Sequence, residues 1–161
     1  MTNMTPFDWA MRPMQRYAQF SGRASRAEYW WFYLATIIIG LIAGVIDGIM
    51  GNTEVGWFGG IINLALLVPT ISVTVRRLHD TDRSGLWLLI GLIAMVVLLA
   101  VAFTLGASEN LGFSAMMVVA IIFIMIVAIT LFVFMVLPGT DGPNGYGPDP
   151  YGPDHLEEIF A

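Results

Sequence analysis

A chain of 161 residues that is 57% hydrophobic and only 12% charged is composed unlike a soluble domain, where about a quarter of the residues carry charge. It has no cysteine, which excludes disulfides, thiolate nucleophiles and cysteine-held zinc. The net charge of −5 does not argue for a cationic partner, because residues 138–161 hold five acids and no Lys or Arg.

The charges are segregated. Uncharged stretches cover Tyr29–Ile46, Val55–Val75, Ser84–Ser108 and Asn110–Thr140. A helix needs roughly 20 mostly apolar residues to cross a bilayer. Backbone groups in lipid must be satisfied within the segment, so helices are the expected form, and the absence of period-2 alternation argues against a barrel. The fold class read from these runs is all-α: an integral membrane bundle of four transmembrane helices with a short amphipathic N-terminal helix at the cytoplasmic interface.

In chain order, residues 1–28 form a cytoplasmic N-terminal segment. No cleavable signal peptide is expected, since the first apolar run begins near residue 29, behind Phe7, Trp9 and four arginines. Phe7, Ala10, Met11, Met14, Tyr17 and Ala18 fall on one helical face, and Asp8, Arg12, Gln15, Arg16 and Gln19 on the other. Thr5 is placed to cap this helix, with Pro6 at its first position. Pro13 predicts a kink or two short pieces. Two readings stand for this segment: a helix lying in the membrane interface, and one packed on the end of the bundle.

The four spans are read as 29–50, 57–75, 86–106 and 113–137. Gly40, Gly44 and Gly48 make a small-residue ridge in the first, expected to pack against another helix of the same chain rather than against a second copy. Asp47 lies near the outer end of that span, close enough to the surface to reach water. Asn63 is expected to hydrogen-bond between helices, and Pro69 to kink the second span. The acidic, Pro/Gly-rich "PGTDGPNGYGPDPYGP" opens the tail 138–161 and ends the last helix.

All seven basic residues are arginines, and all lie in the N-terminal segment or in 76–85. With four spans these groups share a face with the C-terminal tail. That face is cytoplasmic by the positive-inside rule, in which acids weigh little. The expected topology is multi-pass, with N- and C-termini cytoplasmic.

The densest charge is "RRLHDTDRSG" at 76–85, read as the loop between the second and third spans. Arginine pairs suit phosphate or carboxylate, and His79 is the one proton carrier near neutral pH in this loop. The structural alternative is that the arginines orient the protein, Asp80 and Asp82 neutralise them, and Ser84 or Asp82 caps the next helix. No nucleophile motif accompanies His79 and Asp80, so no catalytic residue is assigned. Two histidines, at 79 and 155, give no metal-ligand spacing. No cofactor, metal or nucleic-acid partner is implied.

"FSGRASRAEYWWF" (20–32), "PTISVTVRRLHDTDRSGLW" (69–87) and "GPNGYGPDP" (142–150) resemble the domain of unknown function 805 family, small bacterial inner-membrane proteins of the YhaH type. The resemblance covers about residues 9–150. It implies four membrane helices with both tails cytoplasmic and no established activity. Two departures stand out. Gly145 occupies a position often basic in the family, and Asp82 one where glycine is common. All three motifs fall on one membrane face, so they are expected to meet there. The polar cluster is read as Arg23, Arg26, Glu28, Arg76, Arg77, His79, Asp80, Arg83, Asn144, Tyr146 and Asp149, because that much charge needs partners if buried.

The sequence thus reads as a non-enzymatic membrane protein of unknown biochemical role whose cytoplasmic cluster binds its own tail, a protein partner or anionic lipid headgroups. Homo-oligomerisation through the glycine ridge is a further option. The alternatives are a small transporter or channel subunit, needing a polar path through Asp47, Asn63 and Thr70, and an enzyme acting on lipid headgroups with His79 and Asp80 as acid and base.

Overall fold

In a computed structural model, which describes residues 4–51, 56–105 and 111–151, the described residues are mostly helical. The elements are α1 (Pro6–Gln15), α2 (Arg26–Ile49), α3 (Trp57–Asp80), α4 (Leu86–Leu105) and α5 (Leu111–Val136). The stretches Arg26–Ile49, Trp57–Asp80 and Met117–Val136 are long and apolar enough to cross a membrane. α4 adds 20 residues without a charge. Residues 52–55 and 106–110, with Glu54 and Glu109, and those beyond Tyr151 lie outside the described residues.

Local chemistry explains the helix ends. Thr5 and Asp8 form a reciprocal capping box at α1, with Pro6 just inside it. α1 is one helix rather than two pieces. Pro13 sits so near its C-terminus that the amide it lacks removes only a bond of the last turn. The hydroxyl of Ser25 accepts from the Glu28 amide at 3.1 Å and starts α2. The Ser84 hydroxyl accepts from the Leu86 amide at 3.2 Å and starts α4.

Asp47 does not reach for water. It is buried, and its carboxylate accepts from the amides of Phe58 (3.0 Å) and Gly59 (2.7 Å). The acid at the end of α2 therefore satisfies two orphan donors in the first turn of α3, where the helix dipole also favours a negative charge. This closes the α2–α3 hairpin at the end opposite the arginines.

The packing is the inverse of a soluble core. Among the largest fully buried side chains are Arg76, Arg77, Leu78 and Glu28, while Leu41 is 67% and Ile49 82% exposed. Ala24, Phe32 and Val73, with Tyr29 and Leu66 against them, form the apolar cluster. Exposed apolar helices around a charged interior are the arrangement of a membrane protein, because lipid rather than water surrounds the outer surface.

α1 packs against α2 and α3 through its buried Arg12 and Pro13, leaving Phe7, Met11, Met14 and Tyr17 exposed. The segment after it runs beside α3. The Tyr17 hydroxyl donates to the Ala65 carbonyl, and the Ser72 hydroxyl to that of Gln19 at 2.6 Å.

Two sequence expectations fail here. A Cβ placed on Gly40, Gly44 or Gly48 meets nothing within 4 Å, so among the described residues the glycine ridge packs against no helix. Ala43 and Asp47, on the adjoining face, make the contact with α3 instead. Asn63 is exposed and makes no interhelical hydrogen bond among the described residues. Helical periodicity names a stripe but does not say which stripe meets a neighbour.

Candidate functional site: a buried arginine–carboxylate cluster at one end of the bundle

Half of the expected loop 76–85 is helix. α3 continues through Arg76, Arg77, Leu78, His79 and Asp80, so these side chains are placed with helical rigidity. The helix then ends in a Schellman turn. The Arg83 amide donates to the Leu78 carbonyl at 2.9 Å and the Asp82 amide to that of His79 at 3.0 Å. Asp82 sits at the left-handed position with φ of +56°. That explains why glycine suits this position, and Asp is among the few other residues that tolerate it.

Asp80 is the hub. One carboxylate oxygen accepts from Nε of Arg23 at 2.9 Å, and the other accepts from Nη1 of Arg77. All three side chains are almost fully buried. Arg23 also donates to the carbonyls of Gly142 and Thr140, each at 2.6 Å. Arg77 donates through Nε to the Met135 carbonyl at 3.2 Å, and through Nη2 to that of Leu137. The guanidinium of α3 thus caps orphan carbonyls at the C-terminus of α5.

The tail returns the service to α3. The Thr140 amide donates to the Asp80 carbonyl at 2.9 Å, and Asn144 Nδ2 to that of His79 at 2.9 Å. Asn144 also donates to the Thr140 hydroxyl, and its own carbonyl accepts from the Tyr146 amide. A tight turn follows, with Asn144 and Gly147 paired antiparallel. Asp149 accepts from the amides of Gly142 and Tyr151.

His79 and Asp80 do not form an acid–base pair with one another. Both carboxylate oxygens of Asp80 are held by arginines. Nδ1 of His79 is 3.1 Å from the Gly22 carbonyl, which can only accept, so Nδ1 carries the proton. The imidazole stacks on Tyr146 with centroids 4.0 Å apart and planes 8° from parallel.

A second pair lies deeper. Arg76 Nη1 donates to Glu28 Oε1 at 2.6 Å, with both side chains buried. Nε and Nη2 of Arg76 have no hydrogen-bond acceptor among the described residues. The Arg76 backbone carbonyl accepts from the Ala24 amide at 3.0 Å, pinning the α1–α2 connection to α3.

The residues singled out in sequence therefore divide. Arg23, Arg77, His79, Asp80, Asn144, Tyr146 and Asp149 are joined around the tail, and Arg76 with Glu28 forms the neighbouring pair. Arg83 stands apart, over the Phe134 ring at 4.0 Å, with Nη1 donating to the Thr81 carbonyl. Arg26 is exposed and pairs with no carboxylate among the described residues. Gly145 is exposed, and a Cβ there meets nothing within 4 Å, so a longer residue at this position has open space beside it.

Sequence reasoning missed the main-chain partners and one glycine. A Cβ on Gly139 would lie no farther than 2.8 Å from each of the three carboxyl atoms of Asp80. The tail passes against the hub only because that position has no side chain. "PG" at 138–139 signals a turn, but nothing local to it signals contact with residue 80.

Residues 17–148 match the family described as "Protein of unknown function (DUF805)". The chain is 41% identical to Inner membrane protein YhaI of Escherichia coli strain K12 over 105 residues, 63% of this chain and 88% of the relative. It is 39% identical to Inner membrane protein YhaH of the same strain over 92 residues, 55% of this chain and 76% of the relative. Uncharacterized protein YiiR of that strain is 31% identical over 84 residues, 49% of this chain and 53% of the relative. No solved structure matches. The chain belongs to the DUF805 family.

Proposed function

We propose that this chain is a non-enzymatic, multi-pass protein of the bacterial inner membrane with four spans and both termini in the cytoplasm. Its arginine–carboxylate cluster binds the chain's own C-terminal turn and so holds a fixed cytoplasmic surface for a protein partner. The observation that carries this reading is the pair of bonds from the buried Arg23 to the Thr140 and Gly142 carbonyls, made while Arg23 is neutralised by Asp80. Buried charge tied to main-chain carbonyls of the same chain serves to hold a shape, since Arg23 and Arg77 spend their donors on Asp80 and on carbonyls of the same chain. The relatives named as inner membrane proteins support the location, and the confinement of all seven arginines to residues 12–26 and 76–83 supports the orientation.

The transporter reading has less support. Asn63 lies on the outer surface, the Thr70 hydroxyl donates to the Leu66 carbonyl, and Asp47 closes the start of α3.

The test is topology. A single cysteine introduced at Glu54 or Glu109 is expected to react with an impermeant maleimide on intact spheroplasts, and one at Asp141 only after lysis. The reverse pattern would overturn the orientation, and with it the cytoplasmic surface.

A further inference from the structure

One face of α2 combines three features that the arginine–carboxylate cluster does not use. Arg26, Tyr29, Trp30 and Tyr33 are spaced i, i+3, i+4 and i+7, so they share a stripe. Tyr29, Trp30 and Tyr33 line a cavity of about 350 Å³, completed by Thr74 of α3, Leu88 of α4, and Leu131, Phe132 and Met135 of α5 among others. That volume is near the lower end of ligand pockets, about 300–1,000 Å³. Tyr33 is 45% and Phe132 58% exposed, so the cavity opens on the apolar outer surface.

Arg26 stands one turn above this cavity, at the charged end of the bundle. Arg23, Arg76 and Arg77 are buried and paired with carboxylates, whereas Arg26 is exposed and pairs with none among the described residues. Below the cavity the same side of α2 continues to Gly40 and Gly44, where the place of a Cβ is open for 4 Å. A positive charge at the interface thus stands over an aromatic, apolar recess.

We propose that this groove binds one anionic phospholipid of the bilayer, its phosphate on Arg26 and one acyl chain in the cavity between α2 and α5. The charge complementarity is with Arg26, because Arg23, Arg76 and Arg77 are buried and paired with carboxylates. An acyl chain suits the recess, since its walls are aromatic and aliphatic and Thr74 donates its hydroxyl to its own helix, to the Thr70 carbonyl at 2.6 Å. The site is separate from the cluster that holds the tail, so it stands or falls independently of the proposed function.

The test uses the full chain in vesicles, with Trp9, Trp31, Trp57 and Trp87 changed to Phe so that Trp30 reports from the cavity wall. Quenching of Trp30 is measured with phosphatidylglycerol brominated on the acyl chains, against phosphatidylcholine brominated in the same way. Phosphatidylglycerol is expected to be preferred about fivefold, the effect of one basic residue on an anionic lipid. Arg26→Gln abolishes that preference, and Ala128→Phe, which fills the cavity from its α5 wall, weakens quenching by both lipids. Inorganic phosphate does not compete. Melting in pure phosphatidylcholine shows that each variant is folded. Equal quenching by the two lipids in the parent protein, or quenching unchanged by Arg26→Gln or by Ala128→Phe, overturns the proposal. So does self-association in neutral lipid that is lost in Gly44→Leu without any lipid preference, which assigns this face to a second copy.

Discussion

Replacing Asp80 by Asn tests the buried cluster most directly. The substitution keeps the shape of the side chain and removes its charge. Arg23 and Arg77, with side chains 1% and 0% exposed, would then share no carboxylate. Both retain main-chain carbonyls, at Thr140 and Gly142 for Arg23 and at Met135 and Leu137 for Arg77. The loss is therefore chiefly the uncompensated burial of charge, which costs about 3–5 kcal/mol when one partner of a buried pair is removed. For a chain of this size that corresponds to a fall in melting temperature of roughly 6–20 °C. The assay is thermal unfolding of the purified protein in neutral lipid, with protease cleavage of the C-terminal turn measured below the transition. Asp82→Asn is the control, because Asp82 is exposed and Asn also accepts the left-handed conformation. Asp80→Asn melting within about 1 kcal/mol of the parent, with the turn still resistant to protease, would refute the view that the carboxylate holds the arginines and the tail together.

Three further outcomes are expected. Gly139→Ala forces a methyl group onto a carboxylate that two guanidiniums hold in place. It is expected to destabilise by about 1–3 kcal/mol and release the C-terminal turn, read by melting and proteolysis, and a neutral result would mean that the tail passes Asp80 less closely. Asp47→Ala removes the acceptor of the Phe58 and Gly59 amides. It is expected to cost about 0.5–2 kcal/mol of thermal stability, and unchanged melting would show that water or another group caps α3 as well. The Asp8 carboxyl is held below its ordinary value by hydrogen bonds from the Thr5 hydroxyl and amide. Because the folded value is depressed, its support of α1 is complete above the ordinary value of about 3.9 and is lost as pH falls through the lowered one. A carboxyl-carbon NMR titration should show Asp8 titrating below the usual range and moving up in Thr5→Ala, and no difference between the two would discount the capping box.

Membrane character and the all-helical class were legible because they depend on composition summed over long windows, as were the family, the caps at Thr5 and Ser84 and the first-turn Pro6. Hydropathy and cap chemistry are local, so a single sequence carries them. The end of α3 was not legible. "RRLHD" looks like a loop because charge normally marks the edge of a span, yet these residues stay helical because Asp80, Glu28 and the carbonyls of α5 receive their charge inside the protein. Nor did spacing show which small residues pack, since Gly40, Gly44 and Gly48 face outward while Ala43 and Asp47 meet α3.

By itself, then, the sequence determined that this chain lives in a membrane, where its helices start, and which short motifs concentrate its charge. Only the tertiary structure decided how that charge is spent. It parted Arg26 from Arg23, sent Arg83 to Phe134, and set Gly139 against Asp80, which stands 59 positions earlier in the chain. The physical reason is range. Propensity and hydropathy act over a few residues, whereas a buried guanidinium takes whichever carboxylate or orphan carbonyl the packing of distant helices brings within hydrogen-bonding distance.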